Sequence, residues 1–218
     1  NGLVMDITEQ KEVEEKLRFQ SQFEALLTDI STHFINLPPN KVDEGIQTGL
    51  GLLARLLGVE RGYVFQYLDE GHTMSNTHEW VSEGTESLQA DLQDFSIDAL
   101  KWSNQILLNG MVLNVPDVEA MPEEAHLERE LFEQQGVKSI ISIPLSYQGQ
   151  VIGFLGFDSI RETKNWSDFE IRMLRVVGEV FINALEHQKA QQVHEGQSRF
   201  MELLATEGSF TETLTALV

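Results

Sequence analysis

The sequence predicts an α+β fold in which an antiparallel sheet is flanked by helices, with long linker helices at the N- and C-terminal ends. Apolar residues recur at helical spacing near both ends, and runs of β-branched and aromatic residues flank short turns between them. Of the 218 residues, 41% are apolar and 23% are charged. This composition is typical of one globular domain and excludes disordered and fibrous proteins.

Two helices are predicted at the start of the chain. In residues 8–37 the apolar side chains recur every three or four residues, at Phe23, Leu27, Ile30 and Phe34. Pro38 and Pro39 end this helix, because proline lacks the backbone donor that a helix interior needs. A second helix is predicted over residues 41–57 from a single apolar stripe: Ile46, Leu50, Leu53 and Leu57. Gly58 follows as its C-terminal cap.

A β-hairpin is predicted directly after the second helix. Tyr63, Phe65 and Tyr67 alternate with other residues along the first strand, which places them on one face. After a turn at residues 69–71, the partner strand is predicted to carry four side chains on one face: Met74, Asn76, His78 and Trp80.

The middle of the chain gives weaker signals. We expect a short helix at 97–108, a short strand at 111–115 and a helix at 123–135 that ends at Gly136. A second hairpin is predicted over residues 139–158, with the tight turn at Gly149. Part of this stretch carries no charge, but Pro144 and the polar turn argue against a membrane span.

A last long helix is predicted from Ser167, whose side chain suits the N-cap position. Its apolar seam consists of Ile171, Leu174, Gly178, Phe181 and Leu185. Residues 186–199 contain few apolar helix formers, so we expect a solvated linker helix or a coiled coil that depends on a partner.

The charge balance and the lack of cysteine limit the possible functions. With 15 Lys and Arg against 35 Asp and Glu, the net charge is −20, so neither nucleic acid nor an anionic membrane is expected as a partner. Acidic residues concentrate in 66–135, which we interpret as a solvated face; the alternative is a cation site or a surface for a basic partner, but the acids lack the loop spacing of a calcium site.

Without cysteine the chain forms no disulfide, thiolate–metal site or thioether-linked chromophore, and we expect a cytoplasmic location. The chain shows no signal peptide or initiator Met, and we interpret it as part of a longer protein.

Several segments together resemble the GAF domain, a small sensory fold. They are residues 54–64 before the first strand, 139–145 and 151–158 in the second hairpin, and 166–170 at the start of the last helix. The resemblance covers residues 19–186 and implies a sensory role. An enzyme is a third hypothesis that we disfavour, because the sequence has no catalytic motif and lacks the cysteine nucleophile that reductases of this fold use.

The flanking segments resemble parts of other sensory domains. Residues 1–18 are similar to the C-terminal end of a PAS domain, with its last strand, an Asp-Ile-Thr junction at residues 6–8 and a signalling helix. Residues 187–218 resemble a linker helix and the start of a following sensory domain. This implies a multidomain bacterial sensor whose output is a histidine kinase or a cyclic-dinucleotide enzyme.

The GAF resemblance implies a ligand site between the sheet and the middle connections. We expect the lining to come from Tyr63, Phe65, His78, Trp80, Phe95, Trp102, Met111, Phe132, Ser142 and Phe154. The alternative is that these residues simply form core. The cofactor is unknown, and a covalently bound bilin is excluded because cysteine is absent. Cyclic-nucleotide binding is disfavoured because the chain has Asp158 and Ser159 where binding members carry Asn-Lys.

Catalytic and metal-binding motifs are not recognisable. His126 and Glu130 lie four residues apart on a predicted helix, but one such pair supplies too few ligands for a closed metal site. No catalytic residue or metal ligand is therefore predicted.

Two functional hypotheses remain. In the first, a small molecule binds the pocket and the change passes to the last helix. In the second, the chain is a ligand-free relay that forms a parallel homodimer. Its interface would then use Phe23, Leu27, Ile30, Phe181 and Leu185.

Overall fold

The chain forms a six-stranded antiparallel sheet with helices on both faces, as seen in a computed structural model that describes the backbone of residues 2–215 and the side chains of residues 10–202 except 12, 15 and 70. The helices are α1 (Gly2–Ile35), α2 (Val42–Leu57), α3 (Lys101–Leu108), α4 (His126–Gln134) and α5 (Asp168–Thr215). The strands are β1 (Arg61–Leu68), β2 (Thr73–Val81), β3 (Phe95–Ser96), β4 (Leu113–Val115), β5 (Ser139–Tyr147) and β6 (Gln150–Ser159). Their order in the sheet is β3-β2-β1-β6-β5-β4. The predicted α+β class is confirmed.

The two faces of the sheet bury separate hydrophobic clusters. On one face, which we call the helix face, α1, α2 and α5 pack against side chains such as Val64, Leu155 and Phe157. On the opposite face, the cavity face, Tyr63, Phe65 and Phe154 pack against the segments between β2 and β5. This alternation follows from the period of two along a strand.

Glycines let α2 lie close to its neighbours. A side chain at Gly49 would come within 2.7 Å of the ring of Phe181 on α5, and one at Gly51 within 2.7 Å of Trp80 on β2. Gly58 ends the helix in the left-handed conformation, with φ of 70°, as the sequence predicts.

The start of α5 is fixed by a capping box. The backbone N–H and the hydroxyl of Ser167 donate to Glu170 Oε2 at 2.7 and 2.8 Å, and the Glu170 N–H donates back to Ser167 Oγ at 3.3 Å. The predicted N-cap is confirmed. A single helix continues from this point to Thr215.

A β-bulge in β2 changes which face of the sheet its side chains occupy. Val64 pairs with His78 whereas Phe65 pairs with Asn76, so Thr77 is an extra residue in the ladder. Because one extra residue reverses the alternation, Asn76 lies on the cavity face and His78 on the helix face. The prediction that Met74, Asn76, His78 and Trp80 share a face is wrong.

The strand expected at the start of the chain is not formed. The PAS resemblance implied a strand before residues 6–8, but α1 runs continuously from Gly2. In the described part of this segment, the backbone N–H and C=O groups form hydrogen bonds within the helix, so they do not require a neighbouring strand.

The residues predicted for a dimer interface lie in the core of the chain itself. Phe23 and Phe181 have no exposed surface, Ile30 and Leu185 are at most 4% exposed, and Leu27 packs beside them. Their apolar spacing therefore reflects packing among α1, α2, α5 and the sheet. Apart from Leu27, which is partly buried, these side chains have almost no exposed surface to offer a second copy.

Candidate functional site

A partly enclosed cavity of about 50 Å³ lies between the cavity face and the segments that follow β2. Six of the ten residues predicted for a ligand site line it: Tyr63, Phe65, Phe95, Phe132, Ser142 and Phe154. They come from β1, β3, β5, β6 and α4, so the antiparallel register and the long connections together bring them to one place.

The other four predicted residues do not line this cavity. His78 Nε2 is 3.3 Å from Asp43 Oδ1 on α2, and Trp80 packs against α2 with Arg55 5.3 Å from its ring. Met111 is 53% exposed. Trp102 packs against the cluster on the cavity face without lining the cavity.

An ion pair closes one end of the cavity. Arg61 Nη1 on β1 lies 3.1 Å from Asp158 Oδ2 on β6, and these two residues are paired in the sheet register. The Tyr63 hydroxyl donates to Asp158 Oδ1 at 2.8 Å. Arg61 and Asp158 are each at most 4% exposed, so the pair is shielded from solvent.

A second carboxylate, Glu79 on β2, joins the sheet to the segment that follows β2. Its Oε2 accepts hydrogen bonds from Ser87 Oγ at 2.5 Å and from the backbone N–H groups of Leu88 and Gln89 at 3.0 and 3.2 Å. Its Oε1 accepts from Asn76 Nδ2 at 3.2 Å and lies 3.8 Å from Arg61 Nε. Glu79 therefore links the cavity wall to the charged end of the cavity.

Burial shifts the proton affinities of this cluster. The low-polarity surroundings raise the pKa of Asp158 to about 6, against the opposing effects of Arg61 and of the Tyr63 hydrogen bond. The pKa of Tyr63 is raised well above its ordinary value, first by burial and then by the neighbouring Asp158 charge. Tyr63 therefore stays a hydrogen-bond donor across the physiological range.

Two buried polar atoms in the cavity lining lack a hydrogen bond. Among the described side chains, Arg61 Nε and Asn76 Oδ1 are fully shielded and have no hydrogen-bond partner. Arg61 is 3% exposed and Asn76 is 1% exposed. Leaving such groups unpaired costs roughly 1–3 kcal/mol each, so a binding partner for them would stabilise the fold.

The other end of the cavity is apolar and aromatic. The rings of Phe65 and Phe154 are stacked, with 4.9 Å between their centroids and an angle of 7° between their planes. The Tyr63 ring packs edge-on against Phe65, with 5.5 Å between the ring centroids. Met74 and Phe132 add further apolar surface. A site with apolar walls and a few convergent polar groups is typical of small-molecule binding.

Glu128 holds together the outer wall formed by α3 and α4. Glu128 lies on α4, and its carboxylate accepts hydrogen bonds from three donors on α3. These are the backbone N–H of Trp102 at 2.6 Å, the backbone N–H of Ser103 at 3.1 Å and the Ser103 hydroxyl. These are donors in the first turn of α3 that the helix itself leaves free. The two short helices therefore cover the cavity as one unit.

The sequence interpretation missed the charged part of the site. Arg61 and Asp158 are charged residues in largely apolar or aromatic strands, which is a signal in the sequence, whereas Glu79 lies in a mostly polar strand and gives no such signal. Their convergence depends on the strand register, which the sequence pattern does not specify. No group of three or more His, Asp or Glu residues in the described part of the chain could hold a metal ion. Among the same residues, no helix has the length and apolar character needed to cross a membrane.

One relative with a described role is a histidine kinase. The chain is 27% identical over 195 residues to the methanogenesis regulatory histidine kinase FilI of Methanothrix harundinacea. The match covers 84% of this chain but only 21% of that protein, so this chain spans about a fifth of its length.

The solved structures that resemble this fold include GAF domains from cyanobacteria. GAF3 from Slr1393 of Synechocystis sp. PCC6803, in its photoproduct state, is 20% identical with a TM-score of 0.58, covering 72% of this chain and 99% of that one. The phycocyanobilin-bound GAF domain from a cyanobacterial phytochrome is 18% identical with a TM-score of 0.64, covering 78% and 96%. At these identities the likeness shows the fold alone.

The family itself is shown by the sequence. The pattern of the GAF domain family matches residues 42–185, which is about two thirds of the chain and includes every strand of the sheet. The chain therefore belongs to the GAF domain family.

Proposed function

We propose that this chain is a sensory module that binds a small molecule in the cavity between the sheet and the segments after β2. The observation that carries the proposal is the pair of buried, unpaired polar atoms of Arg61 and Asn76 beside an aromatic wall. Groups of this kind are usually satisfied in a folded protein, and a bound molecule would satisfy them.

The contacts around the cavity suggest how occupancy reaches α5. Glu79 connects the cavity to the segment at residues 87–89, and the sheet carries the cavity on one face and α5 on the other. A side chain at Gly178 on α5 would come within 2.7 Å of Leu145 on β5, so α5 and the sheet pack closely. A ligand changes this arrangement only as far as it binds one state better than another.

The histidine kinase relative supports a role in signal transduction. We extend the proposal to a cytoplasmic sensor protein in which this module receives input from neighbouring sensory domains, PAS among them, and passes it to a kinase or cyclic-dinucleotide output. In this proposal the module itself catalyses no reaction.

A second candidate function is a ligand-free relay that works as a homodimer. It is favoured by apolar side chains on α1 and α5 that are more than half exposed: Val13, Leu17, Val193, Phe200 and Met201. An interface through these positions would replace the buried residues that the sequence suggested.

A fragment screen by ligand-observed NMR tests the first proposal. The set contains neutral, acidic and basic compounds of up to about eight non-hydrogen atoms, a size at which good ligands still bind measurably. Leu107, which is 1% exposed and lines the cavity, is changed to Phe to fill the space. Leu127→Phe is the matched control, because Leu127 is 66% exposed.

We expect some fragments to bind the wild type and Leu127→Phe but not Leu107→Phe. Equal binding to all three proteins, or no binding to any, would overturn the proposal. Backbone amide spectra of both variants establish that they are folded.

A further inference from the structure

We propose that the ligand is a small uncharged molecule with an amide-type head, whose carbonyl accepts a hydrogen bond from Arg61 Nε and whose N–H donates to Asn76 Oδ1. This inference rests on the proposed function and adds the chemical class of the ligand. It follows from which atoms at the charged end are already paired and which are free.

Arg61 requires an acceptor from the ligand. Its Nη1 donates to Asp158 Oδ2 at 3.1 Å, and its Nη2 donates to the Glu86 carbonyl at 3.4 Å. Its Nε lies 3.8 Å from Glu79 Oε1, which is too long for a hydrogen bond. The guanidinium has only donors, so its free Nε–H can be satisfied only by an acceptor.

Asn76 requires a donor from the ligand. Its amide orientation is set by Glu79, because Glu79 Oε1 accepts a hydrogen bond at 3.2 Å and only the Asn76 NH₂ group can donate it. The Asn76 carbonyl oxygen is therefore the free atom. Arg61 Nε and Asn76 Nδ2 lie 3.8 and 3.2 Å from the same Glu79 oxygen, which places the two residues side by side in the cavity lining.

The surrounding charge disfavours an ionised head. One guanidinium, Arg61, faces two carboxylates, Glu79 and Asp158. An anion would add a third negative charge and leave Asn76 Oδ1 facing another acceptor. A cation with only N–H donors would satisfy Asn76 but leave Arg61 Nε unpaired. A neutral head with one carbonyl and one N–H satisfies both atoms.

The size of the cavity limits the head. A cavity needs a volume of about 10–15 Å³ to hold one water molecule. The cavity of about 50 Å³ therefore has room for roughly three or four non-hydrogen atoms of a ligand. Any longer apolar part would extend toward Phe65, Phe132 and Phe154 and would displace the segments that cover the cavity.

Three planar molecules of nearly identical shape test the chemistry: acetamide, acetate and acetamidinium. Each is titrated into the ¹⁵N-labelled chain, and the side-chain Nε–H signal of Arg61 is followed after assignment with Arg61→Lys. We expect acetamide to shift this signal in a saturable way, with an apparent affinity at least tenfold above those of acetate and acetamidinium.

Two variants connect the shift to the proposed contacts. Asn76→Leu removes the acceptor and should weaken acetamide binding at least tenfold. Met74→Leu, on the same wall but without a polar role, should change the affinity less than twofold. If Asn76→Leu does not fold, the comparison of the three probes on the wild type decides the question alone.

Preferential binding of acetate or acetamidinium at Arg61 would overturn the amide assignment but leave the cavity as a ligand site. Absence of a saturable shift with all three probes would overturn the inference. The fragment screen with Leu107→Phe then decides separately whether the proposed function survives.

Discussion

Arg61 Nη1 and Asp158 Oδ2 lie 3.1 Å apart inside the domain, on paired positions of β1 and β6. Glu79 Oε1 stands 3.8 Å from the same guanidinium, so one buried cation faces two carboxylates. Such a cluster depends on fixed geometry and is sensitive to protonation or to a bound polar group.

The titration of Asp158 is the first prediction. Burial raises its pKa to about 6 in the folded chain, from an ordinary value of 3.8, with Arg61, Tyr63 and Glu79 as its charged or titratable neighbours. Between about pH 4 and 6 the native state therefore binds more protons than the unfolded state, so the contribution of Asp158 to stability falls as pH rises through this range. Carbon-13 NMR of the Asp158 carboxyl, assigned with Asp158→Asn, should show a midpoint near pH 6. A midpoint near 4 would contradict the buried environment.

The hydrogen bond from Tyr63 provides a second prediction. Tyr63→Phe removes the donor at 2.8 Å from Asp158 Oδ1, so the pKa of Asp158 should rise further, because this bond favours the ionised form. The free energy of unfolding should fall by roughly 1.5–3 kcal/mol, as for a hydrogen bond to a charged group. Urea denaturation at pH 7.5 measures the loss. Tyr147→Phe, on the helix face, is the control, and equal losses in the two variants would refute the role of this hydrogen bond.

Close packing at Gly156 gives a third prediction. A methyl group there would overlap the Tyr63 ring, so Gly156→Ala should displace Tyr63 and lower stability by about 1–3 kcal/mol. Gly196→Ala on α5 meets no neighbour within 4 Å and should leave stability unchanged or raise it by up to about 1 kcal/mol. Thermal melts followed by circular dichroism compare the two. A neutral Gly156→Ala would show that the Tyr63 ring is not confined.

The β-bulge at Thr77 leads to a fourth prediction, about Trp80. Trp80→Ala removes packing against Gly51 and Arg55 on the helix face, so it should lower stability by about 2–4 kcal/mol without changing fragment binding. Phe132→Ala, in the cavity lining, should change which fragments bind. Ligand-observed NMR measures both variants. Loss of fragment binding in folded Trp80→Ala would place Trp80 at the site after all.

The fifth prediction separates core from interface on α5. Leu185→Glu places a charge where the side chain is 3% exposed and should cost at least roughly 3 kcal/mol, in a monomer as in a dimer. Val193→Glu changes a residue that is 60% exposed and should alter the stability of the domain by less than about 0.5 kcal/mol. Light scattering and urea denaturation of both variants test this. If Val193→Glu lowers the dimer content without unfolding the domain, the relay hypothesis gains its interface.

Apolar periodicity was sufficient to predict the main helices and both hairpins, because each of these elements buries one regular face. The turn at Gly149 follows the same logic, with φ of 82° there and 50° at Gln148. The two-residue strand β3 was not predicted, since its pairing with β2 is set by tertiary contacts.

Two features of the structure could not be predicted from the sequence pattern, for physical reasons. The extra residue Thr77 reverses the faces of His78 and Trp80, and a bulge leaves no clear signal in the sequence. The apolar residues around Phe23 on α1 and Phe181 on α5 have the same spacing whether they pack within the chain or against a copy, so periodicity alone does not distinguish core from interface.

The central claim, that the cavity is the place where a small molecule binds, is tested most directly by native mass spectrometry of the chain purified without denaturation. Spectra of the wild type and Leu127→Phe should contain a non-covalent added mass that disappears on denaturation and is absent from Leu107→Phe. The same added mass in all three proteins, or its absence from all three, would contradict the claim.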